Sequence, residues 1–250
     1  MEAPEHRRLE EAALSAWPAL QQILYDGWLL RFAGGFTKRA NSVNALYPST
    51  VDLDLKIARC EHAYTERNLP VIFRVTPTSK PNGLDAHLEQ RGYEIIDRTL
   101  IMAGSLNLQA EESISTSVIR SASLLEWLDA YDRLRAPAVE QLALLRGIVT
   151  KIPTSLCPVL GFQRGNLVGY GLGVLDSELI GILGLYVAPA VRRSGVGETM
   201  LLTILQWARM RGAKQGYLQV EADNAPAIKL YRGIGWSESY PYWYRVQGNH

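Results

Sequence analysis

The sequence predicts an α/β (α+β) protein in which strands and helices alternate, and three observations carry that prediction. Apolar runs of strand length alternate with stretches whose apolar residues recur at helical spacing. One run, Ile182-Leu183-Gly184-Leu185-Tyr186-Val187, feeds the turn Arg192-Arg193-Ser194-Gly195-Val196-Gly197, and a helical pattern follows over 198–211. The order strand, helix, strand, short helix, Gly-aromatic pair, strand occurs twice, at an offset of about 141 to 145 residues. Such an offset is far longer than a solenoid period, so it reads as the duplication of a whole unit. At 250 residues the chain can hold one large domain or two small ones with ample core.

Residues 7–24 read as the first helix, because Leu9, Ala13, Trp17 and Leu20 form an apolar stripe. Two strands follow at 27–32 and 40–46, with Gly34-Gly35 between them as a hairpin signal and Pro48 as a stop. The stretch 52–67 puts Leu53, Ile57, Cys60 and Tyr64 on one face and reads as a helix packed on a sheet. A strand at 71–75 ends before Pro77 and Pro81. A short helix at 84–90 leads through Gly92-Tyr93 to a strand at 99–102. The polar, Glu- and Ser-rich stretch 107–115 reads as a linker, which sets the expected halves at 1–112 and 113–250.

The second half opens with a strand at 118–122 and helices at 124–134 and 139–148. Strands at 156–163 and 167–174 are turned by Arg164-Gly165-Asn166. After the strand at 182–187 and its helix come a strand at 216–221, a helical stretch from Asn224, the pair Gly235-Trp236 and a closing strand at 242–246. In the duplication, 71–75 matches 216–220 and Gly92-Tyr93 matches Gly235-Trp236. The first copy has Ser49-Thr50-Val51-Asp52 where the second has its glycine turn, and Leu88 and Glu89 where the second has Tyr231.

Composition narrows the function. A formal net charge of +1 provides no field for nucleic acid. No apolar stretch reaches membrane-spanning length, and the charged N-terminus leads into no signal-type apolar core. Cys60 and Cys157 lie in unrelated segments and read as reduced, buried residues, and the four histidines have no metal-ligand spacing. The expectation is a cytoplasmic monomer or homodimer with no metal, no nucleic-acid partner and no membrane partner.

A strand, a glycine turn and a helix together outline a phosphate site. Gly195 and Gly197 let the backbone turn tightly and approach a ligand closely. The first helical amides have no intrahelical partner, and the helix dipole adds roughly half a positive charge there. Arg192 and Arg193 add full charges. The P-loop is excluded because no Lys follows Gly197, and the dinucleotide fingerprint because position 200 is Met.

Arg192-x-x-Gly195-x-Gly197 resembles the Arg/Gln-x-x-Gly-x-Gly pyrophosphate loop of the GNAT N-acetyltransferases. Asn224-x-x-Ala227-x-x-x-Tyr231-x-x-x-Gly235-Trp236 resembles a second segment of that superfamily, with Trp236 where Phe is usual. The likeness covers about residues 116–247. The first half resembles the truncated copy of a bacterial two-part subgroup, on Gly27-Trp28-x-Leu30-Arg31 and Arg39-Ala40-Asn41-Ser42-Val43.

The resemblance implies tandem GNAT-like mixed central sheets flanked by helices, a degenerate first copy without a coenzyme site, and a second copy that binds acetyl-coenzyme A. It implies pyrophosphate held by Arg192, Arg193, Ser194, Gly195, Val196, Gly197 and Glu198. The pantetheine arm would lie along Leu185, Tyr186 and Val187, whose partner strand splays away, with Asn224 and Ala227 beside it. A backbone amide near Tyr186 or Val187 would polarise the thioester carbonyl, and Tyr231 would stand at the sulfur as general acid.

Some members of the superfamily carry a Glu base twelve residues before the tyrosine. Here that position is Gln219, so Glu221, on the same strand face, is the candidate base. The implied activity is direct acetyl transfer to a primary amine of a small or amino-acid-like molecule. Acetylation of protein lysines or N-termini and non-catalytic sensing of acetyl-coenzyme A are the alternatives. The acceptor site is expected between the halves. Arg31, Arg39 and Asn41 are either carboxylate ligands there or polar side chains that stabilise the hairpin.

Overall fold

In the computed structural model, which describes residues 3–106 and 118–247, the first helix stops short of its apolar stripe. Helix α1 spans Ala3–Ala16. Pro18 has no amide to donate and its ring clashes with the preceding helical turn, so the helix cannot continue through it. Residues Gln21–Tyr25 form strand β1 instead, antiparallel to β2 (Trp28–Phe32) from Tyr25↔Trp28 to Gln21↔Phe32. Asp26 (φ 42°) and Gly27 (φ 82°) make the two-residue turn between them. Asp-Gly is the pair that a primed hairpin turn favours, a signal that the helical stripe obscured. The expected linker at 107–115, and with it the cut at 112/113, lies outside the described residues.

The chain divides into two units, and neither is a continuous stretch. The first comprises Met1–Leu100, Ala143–Ile152 and Tyr240–His250, and the second Ile101–Leu142 and Pro153–Ser239. Among the described residues no helix is long and apolar enough to cross a membrane.

In the first unit, β3 (Val43–Ala45) lies antiparallel to β2 and parallel to β4 (Ile72–Val75), with Asn44 opposite Arg74. Helix α2 (Leu53–Thr65) connects β3 to β4, and α3 (Leu84–Gln90) leads into β5 (Tyr93–Ser105). The chain's last strand, β11 (Ser237–Gln247), pairs with β4 from Trp243↔Val75 to Val246↔Ile72. The order in this unit is β1-β2-β3-β4-β11-β5. Alternate residues Trp28, Leu30, Phe32, Val43, Phe73 and Val75 bury against Ile57, Cys60, Tyr64, Leu84 and Leu88 of the two helices. The opposite face is polar. There the Arg74 guanidinium pairs with the buried Glu10 carboxylate and stacks 3.9 Å above the Tyr242 ring.

The second unit holds β6 (Val118–Ser121), α4 (Leu124–Arg135), the start of α5 (Val139–Val149), β7 (Ser155–Gln163), β8 (Asn166–Asp176), β9 (Leu179–Val187), α6 (Val196–Arg209), β10 (Gln215–Glu221) and α7 (Ala225–Gly233). Its sheet order is β5-β10-β9-β8-β7-β6. Helix α4 starts at a full capping box, with Ser123 and Glu126 satisfying each other's backbone amides. Helix α6 buries Val196, Met200, Leu201, Ile204, Leu205 and Ala208, a helical stripe laid on β7, β8 and β9. A row of glycines lets it lie close. A Cβ at Gly173 would come within 2.4 Å of Ile204, and one at Gly169 within 2.9 Å of Met200. This close seating fixes where the helix's N-terminus ends up.

Candidate active site

Strand β9 is built to diverge from its parallel neighbour. Its register with β10 runs from Leu179↔Gln215 to Ile182↔Leu218, while β9 itself runs on to Val187. On its other side, Leu183 and Tyr186 oppose Leu172 and Tyr170, so Gly184 and Leu185 face one residue of β8. That is a β-bulge, and Gly184 takes φ 54°, which a glycine tolerates. A bulge bends its strand and raises the local twist, here just past the last β10 partner. Beyond the bulge the Ala188 amide donates to the Val168 carbonyl on β8. By the period-two alternation of a strand, the Tyr186 amide also faces β8 and the Val187 amide faces the open edge. Of the two amides expected to polarise a carbonyl, that of Val187 is the one on the open edge.

The chain leaves β9 through a short 3₁₀ turn, Pro189–Val191, and enters α6 at Gly195. Arg193 (φ 63°) and Gly195 (φ 82°) are both left-handed. The first intrahelical bond runs from the Thr199 amide to the Gly195 carbonyl, so the amides of Val196, Gly197 and Glu198 precede it. No side chain caps this end. A Cβ at Gly197 would reach Val187 at 3.4 Å, an ordinary contact, so packing within the fold does not demand glycine there.

These features line one cleft of about 640 Å³. Its walls include Leu185, Tyr186 and Val187 of β9, Arg192, Arg193, Gly195, Val196, Gly197 and Glu198 at the head of α6, and Asn224, Ala227 and Tyr231 of α7. Two expected site residues are not in the lining. Ser194 turns away, its hydroxyl donating to the Val191 carbonyl at 2.7 Å. Glu221 is exposed at the end of β10. Arg135, Val191, Pro226 and Leu230 line the cleft as well. Arg135 closes α4 about 50 residues upstream of β9, and no local pattern marks it.

Each polar group has a defined state. The Asn224 side-chain oxygen accepts the Ala227 amide at 3.2 Å and caps α7, which leaves its NH₂ to donate. The Arg192 Nε donates to the Val187 carbonyl at 3.2 Å, which ties the turn to the strand. Tyr231 is 8% exposed, and burial alone pushes its phenol up to about 12, so the hydroxyl stays protonated at neutral pH. Among the described residues that hydroxyl makes no hydrogen bond. The cleft thus joins an uncapped helix N-terminus, three arginines, an open strand edge and a protonated phenol.

Comparisons with known proteins show the family and the fold. The family model described as "Probable histone acetyltransferase Rv0428c C-terminal" matches residues 3–245. The chain belongs to this family of GNAT N-acetyltransferases. The acetyltransferase is 29% identical over 247 residues to an uncharacterized N-acetyltransferase, YobR, of Bacillus subtilis, covering 96% of this chain and 98% of that one. Its fold is similar to a GCN5-related N-acetyltransferase from Kribbella flavida, with a TM-score of 0.75 over 98% of this chain and 96% of that one at 16% identity. A tandem GNAT protein from the clavulanic acid biosynthesis pathway matches with a TM-score of 0.59 at 14% identity, covering 79% of this chain and 70% of that one.

For Arg31 and Asn41 the hydrogen bonds select the hairpin-stabilising alternative over carboxylate binding. Arg31 is buried, with its guanidinium donating to the carbonyls of Arg39 (2.8 Å), Leu14 (3.1 Å) and Trp17. Asn41 accepts the amides of Ala33 and Gly35 and donates to the carbonyls of Phe36 and Thr37, which uses both ends of its amide to tie the connection together. These are structural bonds that leave no free fork for a ligand.

Proposed function

We propose that this acetyltransferase moves an acetyl group from acetyl-coenzyme A directly to the primary amine of a small, amino-acid-like molecule, in the cleft of the second unit. The observation that carries the reading is the convergence of the uncapped α6 N-terminus, the open β9 edge and the Tyr231 phenol on one cleft. Acetyl-coenzyme A supplies the acyl thioester. The free amides of α6, with Arg192 and Arg193, suit a pyrophosphate. The open edge of β9 and the Asn224 NH₂ suit the amides of a pantetheine arm. The Val187 amide offers a hydrogen bond to a carbonyl, and Tyr231 holds the proton that a departing thiolate needs. Glu221 takes the proton of the incoming ammonium through water.

We further propose that the first unit is a degenerate copy with no coenzyme site, because its own groups fill the equivalent positions. The Asp26 carboxylate accepts the amides of Thr50 and Val51 and the Thr50 hydroxyl. Those bonds hold its carboxyl far below the usual carboxylate range. The ammonium of the buried Lys56 bonds Asp26 and the Ser49 hydroxyl from below. Asp52 caps α2. A carboxylate thus sits where a phosphate would, and the Lys80 amide already donates to the Ala45 carbonyl at the end of β3.

A second reading, acetylation of a protein amine, is favoured by the family's description as a probable histone acetyltransferase. Acetyl-coenzyme A-dependent thiol release with free amines, against release with lysine peptides and N-terminal peptides, tests the choice. Turnover confined to the peptides would replace the first reading with the second.

A further inference from the structure

We infer that Arg135 sets acceptor specificity by reading a carboxylate on the amine substrate. The inference rests on the reading of the cleft as an acetyl-transfer site. Side chains alternate along β9. Leu185 fills the space beside Gly171 together with Ile204 of α6, and Val187 approaches Gly197, so both lie on the α6 face. Tyr186, between them, takes the opposite face, stacked on Tyr170 with centroids 5.3 Å apart and planes 20° apart. The Arg135 guanidinium stands 5.2 Å over the Tyr186 ring and lines the same cleft as Tyr231.

The phosphate-binding end of the cleft belongs to α6. An acceptor therefore approaches from the face that is left, past Tyr186 and Arg135. Arg135 makes no ion pair or hydrogen bond among the described residues, and the aromatic face steadies a guanidinium without neutralising it. Its planar fork of donors matches a carboxylate in two parallel hydrogen bonds.

Charge points the same way. With Arg192 and Arg193 given to the coenzyme's pyrophosphate, Arg135 is the lining arginine left to meet a carboxylate on the acceptor. A zwitterion presents its carboxylate to Arg135 and brings its amine toward the reacting carbonyl. Arg135 is exposed, so its replacement leaves the core untouched.

The test uses steady-state thiol release with matched pairs of α-amino acids and their carboxamides, on the full chain, alongside calorimetric binding of coenzyme A. The parent should favour the carboxylate member of its best pair by at least tenfold in kcat/KM. The amide's amine is the less basic of the two, so amine protonation cannot produce that preference. Arg135→Ala should bring the preference within threefold by loss in the carboxylate arm alone, with amide turnover and coenzyme affinity within threefold of the parent. Arg135→Lys should restore part of it. A parent without the preference, or a preference that survives Arg135→Ala, overturns the inference while leaving the acetyl-transfer reading in place. Tenfold weaker coenzyme binding in Arg135→Ala overturns it too, and assigns the arginine to the coenzyme. A parent that binds coenzyme A yet acetylates neither member of any pair overturns both this inference and the small-amine reading.

Discussion

Replacing Tyr231 by Phe isolates the proton donor from the packing around it. The ring stays, so the buried contacts of α7 stay. The lost hydroxyl makes no hydrogen bond among the described residues, so stability should change little. The chemistry should change a great deal. Burial pushes the phenol up to about 12, against about 8.5 for a free thiol, and at 1.36 kcal/mol per unit a full transfer to a free thiolate is uphill by about 5 kcal/mol. The same dry surroundings raise the basicity of a thiolate formed beside the ring, which narrows that gap and favours transfer concerted with departure.

Removing a general acid of this kind slows turnover on the order of 10²- to 10⁴-fold. Coenzyme affinity should stay within a few-fold, since the proposed pyrophosphate site at the head of α6 is untouched by the change. The sign of the pH effect follows from the shift. The acid works while protonated, and its raised value moves the loss of protonation upward. Parent turnover should therefore show no alkaline decline from this group until the pH nears 12, where an ordinary phenol would begin to fail near 10. Thiol release over a pH series, with calorimetry on both proteins, measures all three effects. Parent turnover that Tyr231→Phe leaves intact would refute the acid assignment without touching the coenzyme site.

Four further outcomes are expected. Gly197→Asp puts a negative charge beside the free amides of α6 and should weaken coenzyme binding at least tenfold, about 1.4 kcal/mol, with the fold retained. Unchanged affinity by calorimetry would move the site elsewhere. Titration should give one coenzyme per chain, because Asp26, Lys56 and Asp52 satisfy the equivalent positions of the first unit, and two per chain would end that proposal. Glu221→Gln should lower turnover most at low pH and partly recover as pH rises and the amine deprotonates itself; a uniform loss would argue against a base. Gly216→Ala should destabilise by about 1 to 3 kcal/mol, since its Cβ would fall 2.4 Å from the Trp236 ring. The same change in a Trp236→Phe background should cost less in denaturant unfolding, and additive effects would deny the contact.

The chain by itself determined the second unit's elements closely. Its strands and helices match their expected bounds within a few residues, because each is marked locally by an apolar period, a glycine or a cap. The glycine turn at the head of α6 and the helix that carries Tyr231 were legible for the same reason, because Gly195 and Gly197 mark the one and Asn224 caps the other. The first hairpin was not, because Leu20 continued an apolar stripe that Pro18 had already broken. Local pattern could not say that Asn41 and Arg31 spend their hydrogen bonds on distant carbonyls and amides, or that β11 pairs with β4. Nor could it set Arg135 beside Tyr186, which requires the bulge at Gly184, the stacking on Tyr170 and the end of α4 together. Periodicity reports which face of an element is buried. Which residues from separate elements meet at an open strand edge is decided by the packing of the sheet and its helices, and only the tertiary structure holds that information.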